Sequence, residues 1–253
     1  MKLTFLGTGT SMGVPVAGGF LKEKLYHDPR NIRTRCSVWI ESEELSFLID
    51  VSPEYRIQSI RSGIKELDFV LITHEHMDHI GGLDELRIYN YKNKGLIPIY
   101  TTESVIRNIK SRFEYMFGED KYPGSTSLDL NTIYEAIKIK DVTITPLPIK
   151  HGELDIFGYR INNTAYLTDV SDISKDTQEL IKGCTTIILS ALRWEPSHPT
   201  HLTIPEAVEI IESLNIPRAY LIHMNSYVQH EESNRQLPEH IKLAYDMQII
   251  EID

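Results

Sequence analysis

The sequence predicts an α/β (α+β) chain in which two mixed β-sheets carry helices on their outer faces. Three observations predict it. Short runs of β-branched and aromatic residues recur from one end to the other. They cluster first and then alternate with helical periodicity, whereas a barrel or doubly wound sheet would alternate throughout. Apolar runs also end repeatedly on a His or Asp, at the strand ends where α/β proteins gather their ligands.

The strand-like runs fall at 3–6, 37–41, 47–51, 69–72, 97–101, 142–146, 159–161, 165–168, 186–189, 218–222 and 247–250. The stretch 132–168 reads as several strands in succession. Apolar spacing of the helical kind appears at 53–62, 83–91, 104–112, 174–181, 204–214 and 238–245. Ser174 and Thr203 are suited to cap the fourth and fifth of these, and Pro205 falls in a first turn, where its missing N–H costs little. The segment 113–131, "FEYMFGEDKYPGSTSLDLN", has aromatics, Gly and Pro but no period. It reads either as a loop over a site or as a surface loop packing its aromatics on the body.

A chain of 253 residues with 41% hydrophobic and 25% charged content has the apolar mass for one large core, and no linker or charge run divides it, so residues 1–253 are expected to form one domain. The net charge of −10 argues against binding extended nucleic acid, which needs clustered Lys and Arg to replace counterions. A local basic pocket from Arg30, Arg33 and Arg35 remains compatible with it. Cys36 and Cys184 are far apart inside apolar segments, so they read as buried free thiols of a reducing compartment. No run approaches a membrane span, and "MKLTFLGTGT" reads as a strand and a Gly turn, so a cytoplasmic protein without a membrane partner is expected. Homodimerisation is left open.

The stretch "LITHEHMDHIGG" carries the chemistry. Four metal-ligand types, His74, His76, Asp78 and His79, lie within six positions after an apolar run and before a helix. His74 and His76, two apart in extended chain, can point the same way. Asp78 and His79 are adjacent at the turn and can face differently, a division that suits two neighbouring metals better than one. His151 after "VTITPLPIK", Asp169 after "AYLT" and His223 after "RAYLI" repeat the placement of His74. Asp50, ending "FLID", is either a cap for the next segment or a partner that orients a ligand His.

With these residues assembled, the chain resembles the metallo-β-lactamase superfamily. "HEHMDH" matches its H-x-H-x-D-H signature, and His151, Asp169 and His223 match its later metal positions in order and approximate spacing. The resemblance covers essentially the whole chain and implies a four-layer αββα sandwich. It implies that His74, His76 and His151 bind a first metal, that Asp78, His79 and His223 bind a second, and that Asp169 bridges them, with Asp50 behind a ligand His. Nitrogen and oxygen ligands without thiolate suit two divalent ions, Zn or Mn foremost. Such a pair lowers the pKa of a bridging water enough to make hydroxide near neutral pH, which implies hydrolysis.

Three segments point to phosphodiesters. "FLGTGTSMGVP" looks like the Gly-rich turn of the phosphodiesterase branches, where glycine permits close backbone approach to an anion. "NIRTRCSVWIE" resembles a segment of the phosphonate-pathway (PhnP-like) enzymes, and through it Arg33 and Arg35 would offer planar donors to a phosphate. "RWEPSHPTHLTIPEA" resembles the segment of those enzymes that carries a non-ligand His. His201 would then be general acid to the leaving oxygen or a donor to the phosphate, and His198 would touch substrate or orient the loop. Turnover is expected to rest on Asp78 and His201. One departure is plain: "PVAGGFLKEKLYHDPRN" lacks the cysteine cluster that binds a structural zinc in several phosphonate-pathway enzymes, and His27 alone cannot replace it. The expected function is hydrolysis of a small cyclic phosphodiester, a phosphoribosyl cyclic phosphate or a cyclic nucleotide. The alternatives are a tRNA 3′-end endonuclease, a lactone or ester hydrolase on the same metals, and a metal-dependent nucleotide sensor that does not turn over.

Overall fold

The computed structural model describes residues 1–19, 27–118 and 121–253. Two seven-stranded sheets pack face to face. The first runs in the order β14-β1-β2-β3-β4-β5-β6. Its strands are β1 (Lys2–Gly7), β2 (Ser37–Glu41), β3 (Ser46–Ile49), β4 (Phe69–Leu71), β5 (Ile97–Thr101), β6 (Leu128–Thr132) and β14 (Ile249–Glu251). The second runs β13-β12-β11-β10-β9-β8-β7. It holds β7 (Ile137–Ile139), β8 (Val142–His151), β9 (Leu154–Ile161), β10 (Thr164–Leu167), β11 (Thr186–Ser190), β12 (Ala219–Ile222) and β13 (Ile241–Leu243). In each sheet an antiparallel meander gives way to parallel strands, from β3 to β6 in one and from β10 to β13 in the other.

Alternating side chains explain the layering. Leu3, Phe5, Phe47, Ile49, Phe69 and Leu71 of the first sheet meet Ile144, Tyr159, Ile161, Tyr166, Ile188 and Ile222 of the second in an inter-sheet core. The intervening residues Leu6, Leu48 and Val70 face outward, where α1 (Tyr55–Ser62), α3 (Arg87–Asn93) and α4 (Glu103–Arg112) cover them. Leu147, Leu167, Leu189 and Leu221 play the same part on the other side under α5 (Lys175–Ile181) and α6 (Ile204–Leu214). Strands buried on both faces are apolar at nearly every position, which is why their runs read as continuous. The αββα sandwich is the fold. No helix among the described residues is long and apolar enough to cross a membrane.

The caps are as read. Ser174 accepts from the Thr177 amide, and Thr203 forms a capping box with Glu206. One element is corrected. Residues 238–245 are not helical: Ile241–Leu243 pairs in parallel with β12, with Ile241 and Leu243 buried and Lys242 exposed. The short apolar spacing there was compatible with either period, and a vacant sheet edge decided it. In the segment 113–131, Phe113 and Met116 are buried in the outer core and Leu128 opens an edge strand, whereas Tyr115 and Tyr122 are exposed; residues 119 and 120 lie outside the described residues. The segment without a cysteine cluster also falls partly outside them.

The glycine turn after β1 serves packing. A Cβ on Gly7 would lie 2.0 Å from the Arg35 carbonyl oxygen. Gly7→Ala is therefore expected to destabilise the fold by about 2 kcal/mol, read as a lowered urea midpoint with an unchanged slope.

Candidate metal centre

The parallel strands deliver the site. Asp50 follows β3, His74 follows β4 by three residues, His151 ends β8, Asp169 follows β10 by two, His201 lies in the loop after β11, and His223 follows β12. All converge on one rim of the sandwich. His76 opens the short helix α2 (Met77–Ile80), which carries Asp78 and His79. That helix lies hard against the end of β3: the Val51 amide donates to His79 O at 2.7 Å and the Gly82 amide to Val51 O at 2.9 Å. A Cβ on Gly82 would sit 2.2 Å from Ser52 O, so glycine is what lets the turn approach.

Four overlapping groups of potential ligands result: His74, His76 and His151; His74, His79 and Asp169; Asp78, His79 and His223; and His151, Asp169 and His201. Within each group the donor atoms lie within 4.8 Å of one another. His74 Nε2 is 3.0 Å from His76 Nδ1. His79 Nε2 is 3.0 Å from Asp169 Oδ2 and 3.2 Å from Asp78 Oδ2. His223 Nε2 is 3.1 Å from Asp169 Oδ1 and 3.9 Å from Asp78 Oδ2. The two oxygens of Asp169 thus face different imidazoles, and Asp169 also shares a ligand group with His74 and another with His151.

The residues fit a metal pair. Donors sharing one ion at about 2.0–2.1 Å lie about 3 Å apart at right angles and about 3.3 Å apart at tetrahedral angles, close to the short spacings here. The buried nitrogens His79 Nε2, His223 Nε2 and His201 Nδ1 also have no hydrogen-bond partner despite these short distances. Their lone pairs and the carboxylate oxygens point at a common space instead of at each other.

The tautomers are set from behind. Asp50 is fully buried; its Oδ2 lies 2.7 Å from His79 Nδ1, and the Thr73 amide donates to Oδ1 at 2.8 Å. The Thr73 hydroxyl donates to the same carboxylate at 2.9 Å, which leaves its oxygen to accept from His74 Nδ1 at 3.0 Å. His151 Nδ1 donates to Thr200 O at 2.9 Å. In its neutral form each of these rings thereby carries its proton on Nδ1 and presents a bare Nε2 to the site. Thr73 and Thr200 were not singled out from sequence. A Thr before a ligand His carries no motif, and Thr200 acts through its backbone.

Charge follows burial. Burial works to lower the His79 pKa, yet Asp50, Asp169 and Asp78 override it and hold the ring well above the ordinary imidazole range. Burial works to raise Asp169 and Asp78, yet the surrounding histidines hold both well below the carboxylate range. Burial and His79 push His74 well down. Burial, His223 and other neighbouring histidines push His201 down to about 3, with Asp169 opposing, so it is a neutral imidazole in the cation-free cluster.

His201 lies 4.8 Å from His151 and 5.0 Å from His223, ring to ring, with a side chain 13% exposed. His198 is 5.0 Å from His201, and its Nδ1 accepts from the Thr200 amide at 3.3 Å, so it braces the loop that orients His151. Arg35 is tied to Ser11 O and Glu54. Arg33 is a correction. It is 1% exposed, its Nη1 donates to Thr8 Oγ1 and Ala244 O, and its Nε is buried without a partner, so the guanidinium faces the interior, where a substrate phosphate cannot meet it. A basic residue two positions from another in sequence faces the same way only in extended chain, and nothing in the sequence distinguished the inward side from the outward one.

Residues 46–224 match the model of the beta-lactamase superfamily domain. The crystal structure of a new diphosphatase from the PhnP family superposes with a TM-score of 0.92 at 38% identity, over 100% of this chain and 98% of that one. The chain therefore belongs to the metallo-β-lactamase superfamily, as a PhnP-like member. Among curated proteins, an octanoyltransferase of Porphyromonas gingivalis is 38% identical over 250 residues, 97% of this chain and 50% of that protein. A ribonuclease Z of Bradyrhizobium diazoefficiens is 25% identical over 171 residues, 64% of this chain and 50% of that protein. The chain thus spans about half the length of these curated relatives.

Asp50→Ala removes the acceptor behind two ligand rings. It is expected to weaken metal binding by about ten- to a hundredfold, measured by titrating the chelator-stripped chain with Zn or Mn.

Proposed function

We propose that the chain is a dinuclear-metal phosphodiesterase acting on a small phosphodiester, with a cyclic phosphodiester as the substrate class. The observation that carries this reading is the pair of ligand groups, His74/His76/His151 and Asp78/His79/His223, joined through Asp169 in a space that collects unpaired donors. Two divalent ions held there supply a nucleophile from water and neutralise charge on phosphoryl oxygens.

The chain's own residues do the rest. Asp50, Thr73 and Thr200 keep the ring protons of His79, His74 and His151 away from the site. His201 borders both ligand groups without a proton partner on its buried Nδ1. As a neutral imidazole it still carries one N–H, which suits it to donate to the leaving oxygen as charge develops there. Asp78 holds the second ion beside His79 and His223. His198 keeps Thr200, and so His151, in register.

A second reading is favoured by the whole-chain similarity to a PhnP-family diphosphatase: cleavage of a substituted diphosphate. Attack on phosphorus is common to both, and only the leaving oxygen differs, an alkoxide in one and a phosphate in the other. Processing of tRNA, suggested by the ribonuclease Z relative, sits poorly with a net charge of −10. Octanoyl transfer is named for a relative twice as long and is not carried over, since this chain covers only 50% of that protein.

A substrate panel with Mn and Zn decides among these. It holds 2′,3′- and 3′,5′-cyclic nucleotides, phosphoribosyl cyclic phosphate, a dinucleoside diphosphate, precursor tRNA and a lactone. Turnover of a cyclic phosphodiester is the expected result, and turnover of the lactone alone would refute attack on phosphorus. His201→Ala is expected to lower kcat by about a hundredfold to ten-thousandfold with both metals still bound, and Asp78→Ala to abolish turnover. Unchanged rates in both variants would remove catalysis from this site.

A further inference from the structure

His223 is the exception among the buried candidate ligand rings. The rings of His74, His79 and His151 are each oriented by a hydrogen bond on Nδ1. His223 Nδ1 is buried and has no partner among the described residues. A metal-binding imidazole almost always fixes its orientation through its second nitrogen. This ring is therefore oriented through its backbone.

That backbone is clamped. His223 takes φ +63°, a left-handed conformation that reverses the chain just past β12. The next residue is held on both sides by the loop after β1: the Met224 amide donates to Thr8 O and the Thr10 amide donates to Met224 O, both at 3.1 Å. The loop is in turn stapled from below. Asp246, a half-buried residue, accepts from the Thr8 hydroxyl at 2.8 Å and from the Thr34 amide and hydroxyl at 2.7 Å each. Arg33 donates through Nη1 to the same Thr8 hydroxyl at 2.8 Å and to Ala244 O at 2.6 Å. The Gly9 amide donates to Thr34 O at 2.8 Å, which ties the loop to the same segment again. Thr8 is therefore the junction: its hydroxyl joins Arg33 to Asp246, and its carbonyl holds the residue after His223.

We propose that Asp246 and Arg33 are positioning residues of the second metal position, acting through Thr8 and Met224 on His223. This rests on the two-metal reading above. A buried guanidinium and a half-buried carboxylate that meet on one threonine are costly features for a loop whose only task is to turn. Their placement under the one buried ligand ring without a hydrogen-bond brace gives them that task. The first position, built from His74, His76 and His151, has its own supports in Thr73 and Thr200 and takes nothing from this network.

The test is metal binding resolved by site. Asp246→Asn and Arg33→Met are compared with the wild-type chain by metal content after dialysis, by competitive titration, and by the visible absorption of the Co(II)-substituted protein. The expected result is one tightly held ion with an unaltered Co(II) signature for the first position, and a second affinity weakened by about tenfold or more. Folded variants that keep both affinities overturn the proposal, and so does equal loss at both positions, which would mark a general effect on the fold. If the charged variants do not fold, Thr8→Val takes their place, and a folded Thr8→Val chain with two unchanged affinities overturns it equally. A wild-type chain that holds two ions but cleaves no phosphodiester defeats the proposed function and leaves this inference standing. A wild-type chain that holds no ion defeats both.

Discussion

Among the described residues, three carboxylates and no lysine or arginine meet at the rim of the sandwich, and the rest of the site answers to that imbalance. Among the described residues, the ion-pair partners of Asp50, Asp78 and Asp169 are all histidines. Buried negative charge is tolerated only when it is paired or neutralised. Imidazole can supply the missing positive charge by taking protons, and the raised pKa of His79 shows how strongly the cluster asks for it. Yet the hydrogen bonds from Asp50, Thr73 and Thr200 already fix where three rings keep a proton, and a second proton on each would push like charges together. Cations in the shared space resolve both demands at once.

Delivering these groups depends on a repeated backbone device. Asp50, Asp169 and His223 have φ of 63°, 55° and 63°, and each stands one or two residues past the end of a strand. A left-handed residue turns the chain sharply enough to aim its side chain across the strand end, at about 1–2 kcal/mol for a residue with a Cβ; Asp and His tolerate it better than branched residues do. In all three cases the following amide is caught at once. Val51 N–H donates to His79 O, Val170 N–H to Ser190 Oγ, and Met224 N–H to Thr8 O. The strain is held in place by hydrogen bonds to neighbouring loops, so each ligand's aim depends on a segment distant in sequence.

This explains what could be read from the chain and what could not. The αββα architecture was legible because strands buried on both faces write themselves as apolar runs. The candidate ligands stood out in the sequence because His74, His151, Asp169 and His223 each come at or just after the end of such a run and His76, Asp78 and His79 crowd into the turn after His74. Asp50 was legible as a partner of a ligand His for the same reason, though its hold on a second ring through Thr73 was not. The strand at 241–243 read as helix, since a short apolar spacing obeys both periods until a neighbouring edge is known. Arg33 misled for a deeper reason. Its charge and its place beside Arg35 suggested an anion, but whether a long basic side chain points outward or inward is decided by the groups waiting at its far end. Those are Thr8 and Ala244, distant in sequence.

The glycines of "FLGTGTSMGVP" carry the same lesson one step further. Glycine permits close approach without saying to what. Here the approach is to the protein's own backbone: Gly7 crowds Arg35 O, and the Gly9 amide bonds Thr34 O. Freed of side chains at those two points, the loop passes between the segment 33–35 and Met224 and bonds to both. The two metal positions therefore differ in kind. In the first, His74 and His151 are oriented by hydrogen bonds made directly to their rings; in the second, Asp50 holds His79 the same way, but His223 leans on a loop that is itself wedged between two other segments. A change below the surface at 33, 34 or 246 has a short path to the second position and none to the first.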